Sequence, residues 1–360
     1  MRVGTERYPA LTGVRTVGAS VVFFDHFPVQ PSTHIVLNVL AFFFALSGFL
    51  IVRIYYERAA FDRVWLGKYF VNRFARIYPV YFLLLSVAVL LYGEWSPWVL
   101  LKNYTLTQAF FIGHLGIIQP SWSITVEECF YILAPLFMIL AARFNFLVPL
   151  ALACALLGVA LGVSRLGLSF LGSGMFVMSY TFFGHFTEFF AGFWLALHVM
   201  RLERTGTLAR RGGAQTATGA AGVLLVIVAM VLVYRHAPLG LGAIVLLNNF
   251  LIPLPIALLY GGLLRETTWL SRFLATPVMG LLGRSSYSFY LLHMLIIDFV
   301  AAPLLLPIMP RFLCVLVTFV LTWLLSCALF LWYEEPLNLH IRRKANSKGR
   351  SVGMQATLFR

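Results

Sequence analysis

The chain has 360 residues, of which 61% are hydrophobic and 11% charged, and its mean hydropathy is +0.88. Apolar runs longer than the roughly 18–20 residues that span a bilayer recur along it, and the polar stretches between them are too short for a soluble core, so the composition excludes a soluble globular protein. The net charge of +14 comes from Lys and Arg clustered between the apolar runs, which is typical of cytoplasmic loops and argues against a nucleic-acid partner.

We therefore predict an all-α fold, a polytopic membrane bundle of about ten transmembrane helices. The predicted spans are residues 11–29, 35–56, 70–92, 122–141, 145–163, 176–199, 215–234, 240–263, 285–306 and 312–333. The first span is expected to stay in the protein, because no small-residue cleavage site follows it. Residues 1–340 are predicted to form one transmembrane domain and residues 341–360 a basic cytoplasmic tail.

The basic residues lie in alternate loops. They follow the second span, follow the sixth span and fill the tail: Arg53, Arg58, Arg63, Lys68, Arg73 and Arg76; Arg201, Arg204, Arg210 and Arg211; Arg342, Arg343, Lys344, Lys348 and Arg350. With ten spans, all three groups fall on one side of the membrane. The positive-inside rule then predicts that both termini are cytoplasmic.

Two ionisable residues share a face of the first span. Arg15 and His26 are eleven residues apart, which places them roughly 16 Å apart along the helix axis. A histidine near neutral pH can remove a proton from a hydroxyl group. The alternative is that His26 lies at a helix end with Asp25 as its partner, and these residues alone leave both interpretations open.

Arg73 and Arg76 lie three residues apart at the start of the third span, so both side chains point the same way. Two guanidinium groups on one face suit a phosphate or pyrophosphate, because each offers forked, charge-assisted hydrogen bonds. The alternative is a cytoplasmic anchor that contacts lipid headgroups, and taken by itself the pair favours that anchor.

The stretch "PSWSITVEECFY" (residues 120–131) places Glu127 and Glu128 just inside the fourth span. Successive helical residues point about 100° apart, so at most one of the two carboxylates faces the bundle interior. It could pair with a buried arginine, orient a histidine or bind a sugar hydroxyl. The alternative is that both carboxylates stabilise the helix N-terminus.

Further polar residues occur in later spans. His185 and Glu188 form an i, i+3 pair, and Ser286, Tyr290 and His293 form a stripe along one helix face. A transporter's substrate path or hydrogen bonds between packed helices would explain them equally well. The four cysteines lie within apolar runs without ligand spacing, so neither a disulfide framework nor a metal site is predicted.

Six segments occur together in an order that resembles the acyltransferase 3 family of integral-membrane acyltransferases. They are "LTGVRTVGASVVFFDHF", with a basic residue and a histidine separated by ten residues (Arg15 and His26); "FFFALSGFLI", with Ser47, Gly48 and Phe49; "RFAR", with Arg73 and Arg76; "SWSITVEECFY", with Trp122, Ser123 and Glu127; "EFFAG", with Glu188; and "SSYSFYLLH", with Tyr290 and His293. The resemblance covers the whole chain, and Glu127 rather than Glu128 matches the family's acidic position.

The resemblance implies an O-acyltransferase of the bacterial inner membrane. The donor would be cytoplasmic acetyl-CoA or another acyl-CoA. The acceptor would be a hydroxyl of a cell-envelope glycan, such as lipopolysaccharide O-antigen or an exopolysaccharide, or of a small molecule. No permanently bound cofactor is expected, and homo-oligomerisation is left open.

The resemblance also implies roles for the residues. His26 would act as general base on the acceptor, or as a transient acyl carrier, while Glu127 would orient or charge-balance His26 or hold the acceptor. Arg15, Arg73 and Arg76 would bind CoA. Supporting or substrate contacts are expected from Ser47, Trp122, Ser123, Glu188, Tyr290 and His293.

The chain departs from the family pattern near its C-terminus. "EEP" retains Glu334, but Glu335 stands where a basic residue is common. Relatives often carry an appended esterase-like domain; its absence from this sequence leads us to expect that transfer ends in the membrane domain or on a separate protein. The alternative from another class is a proton-coupled transporter or flippase, although the sequence shows no inverted repeat.

Overall fold

In the computed structural model of the protein, residues 8–27, 35–57, 59–113, 116–208, 212–236 and 240–345 are described. The longer helices are α1 (Pro9–His26), α2 (Ile35–Tyr55), α3 (Arg63–Tyr92), α5 (Trp122–Arg143), α6 (Leu147–Ser164), α8 (Phe182–Arg204), α9 (Ala214–His236), α11 (Pro253–Arg265), α13 (Pro277–Ile296) and α14 (Arg311–Leu329). Shorter helices are α4 (Pro97–Tyr104), α7 (Gly174–Tyr180), α10 (Gly240–Leu246) and α12 (Trp269–Leu274). Within the described residues no strand occurs, apart from an isolated bridge between Phe111 and Phe170.

The predicted all-α membrane bundle is confirmed. Each of the ten predicted spans overlaps a long helix, and α10 continues into α11 through a π-helical segment, Leu247–Leu251. Seven helices in the described part of the chain are long and apolar enough to cross a membrane, and Val39–Tyr55 within α2 is a shorter apolar helix. The remaining two, α1 and α8, carry ionisable residues that interrupt the apolar pattern.

α1 and α13 pack side by side and run in the same direction. Near their beginnings, the Thr16 hydroxyl donates to the Met279 carbonyl oxygen at 2.9 Å. Near their ends, the rings of His26 and His293 lie 5.1 Å apart between centroids. This direction agrees with the predicted order, in which the first and ninth spans cross the membrane the same way.

α2 packs more extensively against α8 than against any other helix, and glycines bring their backbones together. A Cβ atom on Gly48 would lie 2.1 Å from the Phe189 carbonyl oxygen, and one on Gly192 would lie 1.8 Å from that of Ala45. Only glycine permits such an approach, which is a common way to pack membrane helices. The glycines of "SGF" and "EFFAG" therefore have a packing role, which fixes the position of Ser47 relative to α8.

The C-terminal helix crosses the predicted boundary at residue 340. α14 continues through a π-helical segment, Phe330–Glu334, and the helix extends to residue 345. Arg342, predicted to lie in a solvated tail, donates from Nε to Asn72 Oδ1 on α3 at 2.9 Å. The two-domain division stays a prediction. The rest of the tail lies outside the described residues, as do Arg58, Arg210, Arg211 and residues 28–29 of the first predicted span.

The helix contact at Gly192 predicts a site-specific sensitivity. Gly192→Ala should lower the melting temperature of the purified protein by several degrees, because overpacking a tight contact costs about 1–3 kcal/mol. Gly158→Ala in α6 is the matched control, since a Cβ atom there meets nothing within 4 Å. Size-exclusion chromatography after heating measures both; equal melting temperatures would contradict the proposed packing role.

Candidate active site

Two neighbouring cavities lie inside the bundle between α1, α2, α3, α5 and α13. The larger has a volume of about 140 Å³ and is also lined by the C-terminal extension of α14. The smaller, of about 50 Å³, is lined by α1, α2, α5 and α13. Four residues, Arg15, Ser47, Glu127 and Tyr287, line both cavities, and we call them the junction. A ligand group at the junction could be approached from either cavity.

Glu127 is held in the junction by two hydroxyl groups. Ser47 Oγ and the Tyr131 hydroxyl both donate to Glu127 Oε1, and Tyr131 lies one helical turn beyond Glu127 on α5. An oxygen that accepts two hydrogen bonds carries no proton of its own. The pair formed by Ser47 and Glu127 therefore joins a hydroxyl to a carboxylate oxygen able to receive its proton.

Glu128 points elsewhere. It is buried, lines neither of the two cavities, and its Oε1 has no hydrogen-bond partner among the described residues. Both glutamates lie in the second turn of α5, because the helix begins at Trp122 and its first turn contains no acidic residue. The helix N-terminus therefore does not account for them.

Arg15 reaches the junction because α1 and α13 approach closely. A Cβ atom on Gly283 would lie 2.0 Å from the Thr12 carbonyl oxygen, so a larger residue there would force the helices apart. Arg15 Nε donates to Ser286 Oγ at 3.0 Å. A guanidinium at this depth requires such partners, since an unpaired charge is costly inside a membrane.

Arg73 lines the larger cavity and is surrounded by aromatic groups. Its guanidinium carbon lies 5.5 Å from the Tyr55 ring centroid and 5.4 Å from that of Tyr131, and Nη2 donates to the Tyr55 hydroxyl at 3.4 Å. In the part of the chain that the structure describes, Arg73 forms no direct ion pair with a carboxylate, and its buried Nε lacks a hydrogen-bond partner. Cation–π contacts hold this charge while leaving it able to bind an anion.

Arg76, three residues later, already has an anionic partner. It forms an ion pair with Glu334, a buried residue at the end of the π-helical segment Phe330–Glu334. Glu334 Oε2 also accepts from Ser288 Oγ at 2.6 Å. The sequence left Glu334 without a role, and the structure gives it one as the counter-ion of Arg76.

The larger cavity is electropositive. Its lining includes five arginines (Arg15, Arg73, Arg76, Arg284 and Arg342) but only two acidic residues, Glu127 and Glu335. Low-dielectric walls of one charge sign concentrate ligands of the opposite sign. This cavity therefore suits an anionic ligand that inserts a less charged end toward Glu127.

His26 lies beyond the smaller cavity rather than on its wall. Its Nδ1 is 2.9 Å from the Val22 carbonyl oxygen, so Nδ1 must carry the proton in that bond and Nε2 is the basic nitrogen of the neutral ring. His293 is arranged alike, with Nδ1 2.7 Å from the Tyr290 carbonyl oxygen. The ring of Tyr290 lies 5.8 Å from that of His293, which connects the smaller cavity to the histidine pair.

The predicted site residues thus fall into three groups. Arg15, Ser47, Arg73, Arg76 and Glu127 line the larger cavity, while Ser123 and Tyr290 line the smaller one, joined by a 2.7 Å hydrogen bond between their hydroxyls. His26, His293, Trp122 and Glu188 line neither. The hydrogen bonds that hold Glu127 come from α2 and α5, and the expectation that it orients His26 stays a prediction.

Trp122 and Glu188 belong to a separate buried network. His185 Nδ1 lies 2.9 Å from Glu188 Oε1, and His185 Nε2 lies 2.9 Å from the Ser179 carbonyl oxygen. The Trp122 ring lies 5.9 Å from that of His185. These contacts join α5, α7 and α8, so packing between helices explains the i, i+3 pair of His185 and Glu188.

Sequence reasoning missed Tyr131, Tyr287, Asn72, Arg284 and Arg342 as cavity residues. Tyr131 had a usable signal, because it follows Glu127 by four residues and so shares its helix face. Arg342 had no such signal, because the basic residues around it predict a cytoplasmic tail. Within the described ranges, no group of three or more His, Cys, Asp or Glu residues could hold a metal ion.

Comparison with known proteins shows the family of the chain. A profile of the acyltransferase domain family, acyltransferase 3, matches residues 8–331, nearly the whole chain. No curated protein and no solved structure matches the chain significantly. The matched region contains every residue of the junction, as well as Arg73, Arg76 and His26. The chain therefore belongs to the acyltransferase 3 family of membrane acyltransferases.

Proposed function

We propose that the protein transfers an acyl group, most readily acetyl, from a cytoplasmic acyl-CoA to a hydroxyl of a cell-envelope glycan, such as lipopolysaccharide O-antigen or an exopolysaccharide. The observation that carries this proposal is the larger cavity, which joins several arginines to a buried serine and carboxylate at the junction. We place the protein in a bacterial inner membrane with both termini cytoplasmic. The clustering of Lys and Arg in alternate loops supports this orientation.

The charge distribution supports a CoA ester as the donor. Arg73 offers a guanidinium that forms no direct ion pair with a carboxylate among the residues described, and Arg284 and Arg342 line the same cavity. Guanidinium groups bind phosphates through forked hydrogen bonds. The phosphates of CoA would contact these arginines, and the acyl end would point toward Glu127.

The cavity volume sets the depth of insertion. About 140 Å³ is less than the roughly 300–1,000 Å³ of sites that enclose a whole drug-sized ligand. The acyl thioester and part of the pantetheine arm would fit inside, with the nucleotide at the arginine-rich end. The small volume supports a short acyl group such as acetyl.

The acceptor would approach through the smaller cavity. Ser123 and Tyr290 present hydroxyl groups there, which suit the hydrogen-bonding groups of a sugar. His26, close to the predicted extracytoplasmic end of α1, has Nε2 as its basic nitrogen when neutral. We assign His26 as the general base that removes the acceptor's proton, with His293 beside it.

The two adjacent glutamates provide the first test. Glu127→Gln should slow the loss of the acetyl-CoA thioester by about 100-fold or more, because an amide cannot accept the proton of the Ser47 hydroxyl. Glu128→Gln is the matched control and should stay close to wild type. The measurement follows radiolabelled acetyl-CoA with purified protein in lipid nanodiscs. Equal rates of thioester consumption in the two variants would contradict the assignment to Glu127. A wild-type protein that consumes no acyl-CoA would contradict the proposed function.

The two arginines of "RFAR" should differ in what they support. Arg73→Gln should weaken acetyl-CoA binding roughly 10- to 100-fold, because it removes charge-assisted hydrogen bonds to phosphate. Arg76→Gln should instead destabilise the protein by up to about 3–5 kcal/mol, because it leaves buried Glu334 without its cation. Equilibrium binding and thermal unfolding in nanodiscs measure the two effects.

Two controls accompany the arginine variants. Adding Glu334→Gln to Arg76→Gln should restore most of the lost stability, since no unpaired charge then remains. Arg204→Gln changes an exposed arginine and should leave acetyl-CoA affinity unchanged. Unaltered affinity in Arg73→Gln would place the phosphate site elsewhere.

A further inference from the structure

Ser47 occupies the position that an acyl group must pass. It lines both cavities, so the residue borders the side assigned to the donor and the side assigned to the acceptor. Most other lining residues face only one of them. A group attached to Ser47 could therefore arrive from the larger cavity and leave through the smaller one.

The chemical surroundings of Ser47 are those of an activated nucleophile. Its hydroxyl donates directly to Glu127 Oε1, and the Tyr131 hydroxyl, 3.4 Å from Ser47 Oγ, donates to the same carboxylate oxygen. A hydroxyl bonded to a base that is fixed by a third group is the recurring arrangement of nucleophilic catalysis. Arg15 shares the junction and supplies positive charge beside a developing oxyanion.

From this geometry we propose that Ser47 carries the acyl group as a transient ester, an inference that rests on the proposed function. Ser47 Oγ attacks the thioester carbonyl carbon, Glu127 takes the serine proton, and the carbon–sulfur bond breaks to release CoA as a thiolate. Glu127 keeps that proton while the acyl-enzyme lasts. Transfer from cavity to cavity then needs no contact between CoA and the acceptor.

The second half returns the enzyme to its starting state. The acceptor oxygen attacks the carbonyl carbon of the Ser47 ester, and the acceptor proton passes to His26. As the bond between Ser47 Oγ and the carbonyl carbon breaks, Glu127 gives its proton back to Ser47. His26 releases its proton to solvent, and the thiolate takes one up, so atoms and charge balance.

The alternative is that Ser47 only satisfies the buried carboxylate of Glu127. In that case acyl transfer is direct and needs donor and acceptor together. A covalent intermediate instead allows the enzyme and acetyl-CoA to react reversibly without acceptor. This difference does not depend on knowing the acceptor.

The test is isotope exchange in nanodiscs, with labelled CoA, unlabelled acetyl-CoA and no acceptor. Wild type should move the label into acetyl-CoA, and Ser47→Ala should reduce the exchange rate by more than about 100-fold while still binding acetyl-CoA. Ser326→Ala is the control, since Ser326 is a buried serine on α14 that lines neither cavity. It should exchange like wild type.

A second variant covers misfolding of Ser47→Ala. Ser47→Cys keeps a nucleophile of similar size, and its acyl adduct is a thioester that neutral hydroxylamine cleaves, unlike the oxygen ester on Ser47. Labelled acetyl-CoA followed by denaturation and peptide mapping should find the hydroxylamine-sensitive label at position 47. A merely structural serine gives no such change in bond chemistry.

The outcomes separate the two proposals. Wild-type protein that binds acetyl-CoA without exchanging CoA, or exchange that persists in Ser47→Ala, would overturn the carrier role while leaving the proposed function intact. Loss of exchange in His26→Ala together with its retention in Ser47→Ala would make His26 the carrier. Wild-type protein that binds no acyl-CoA would overturn the proposed function itself.

Discussion

The cost of holding charge inside hydrocarbon organises this structure. An ionisable side chain within a membrane must be paired or hydrogen-bonded, and three arginines of the larger cavity meet that requirement in different ways. Arg76 pairs with Glu334, Arg15 donates to Ser286, and Arg73 is enclosed by aromatic rings. These partners come from α13, α14, α2 and α5, so the same contacts that satisfy the charges tie the helices around one chamber.

The chemistry follows from where this pairing is incomplete. Arg73 retains a charge that an anion can neutralise, and Glu127 presents an oxygen that accepts hydrogen bonds from Ser47 and Tyr131. The first feature lies in the larger cavity alone and the second at the junction. In the proposed function, a donor held at its anionic end by arginine would present its other end to the serine and carboxylate.

Sequence reasoning succeeded where the physical signal is local. Hydropathy predicted the helices, because a span must bury its backbone in apolar residues, and helical spacing put Arg73 and Arg76 on one wall of the cavity. The 100° rule also anticipated that Glu127 and Glu128 would point apart. Sequence reasoning did not find the pairs whose members are distant along the chain. Arg76 and Glu334 are separated by 258 positions and Ser47 and Glu127 by 80, and no local pattern joins them. The role expected for Glu127 beside His26 stays a prediction.

In the proposed function, one chamber would receive the acyl-CoA and present its carbonyl group to the junction. The most direct measurement is a cryo-EM structure of the protein in nanodiscs with a non-hydrolysable acetyl-CoA analogue. We expect the phosphates of the analogue to contact Arg73 and its acyl carbonyl carbon to lie within roughly 3–3.5 Å of Ser47 Oγ. An analogue bound outside the larger cavity, with its acyl end away from Glu127 and Ser47, would contradict it.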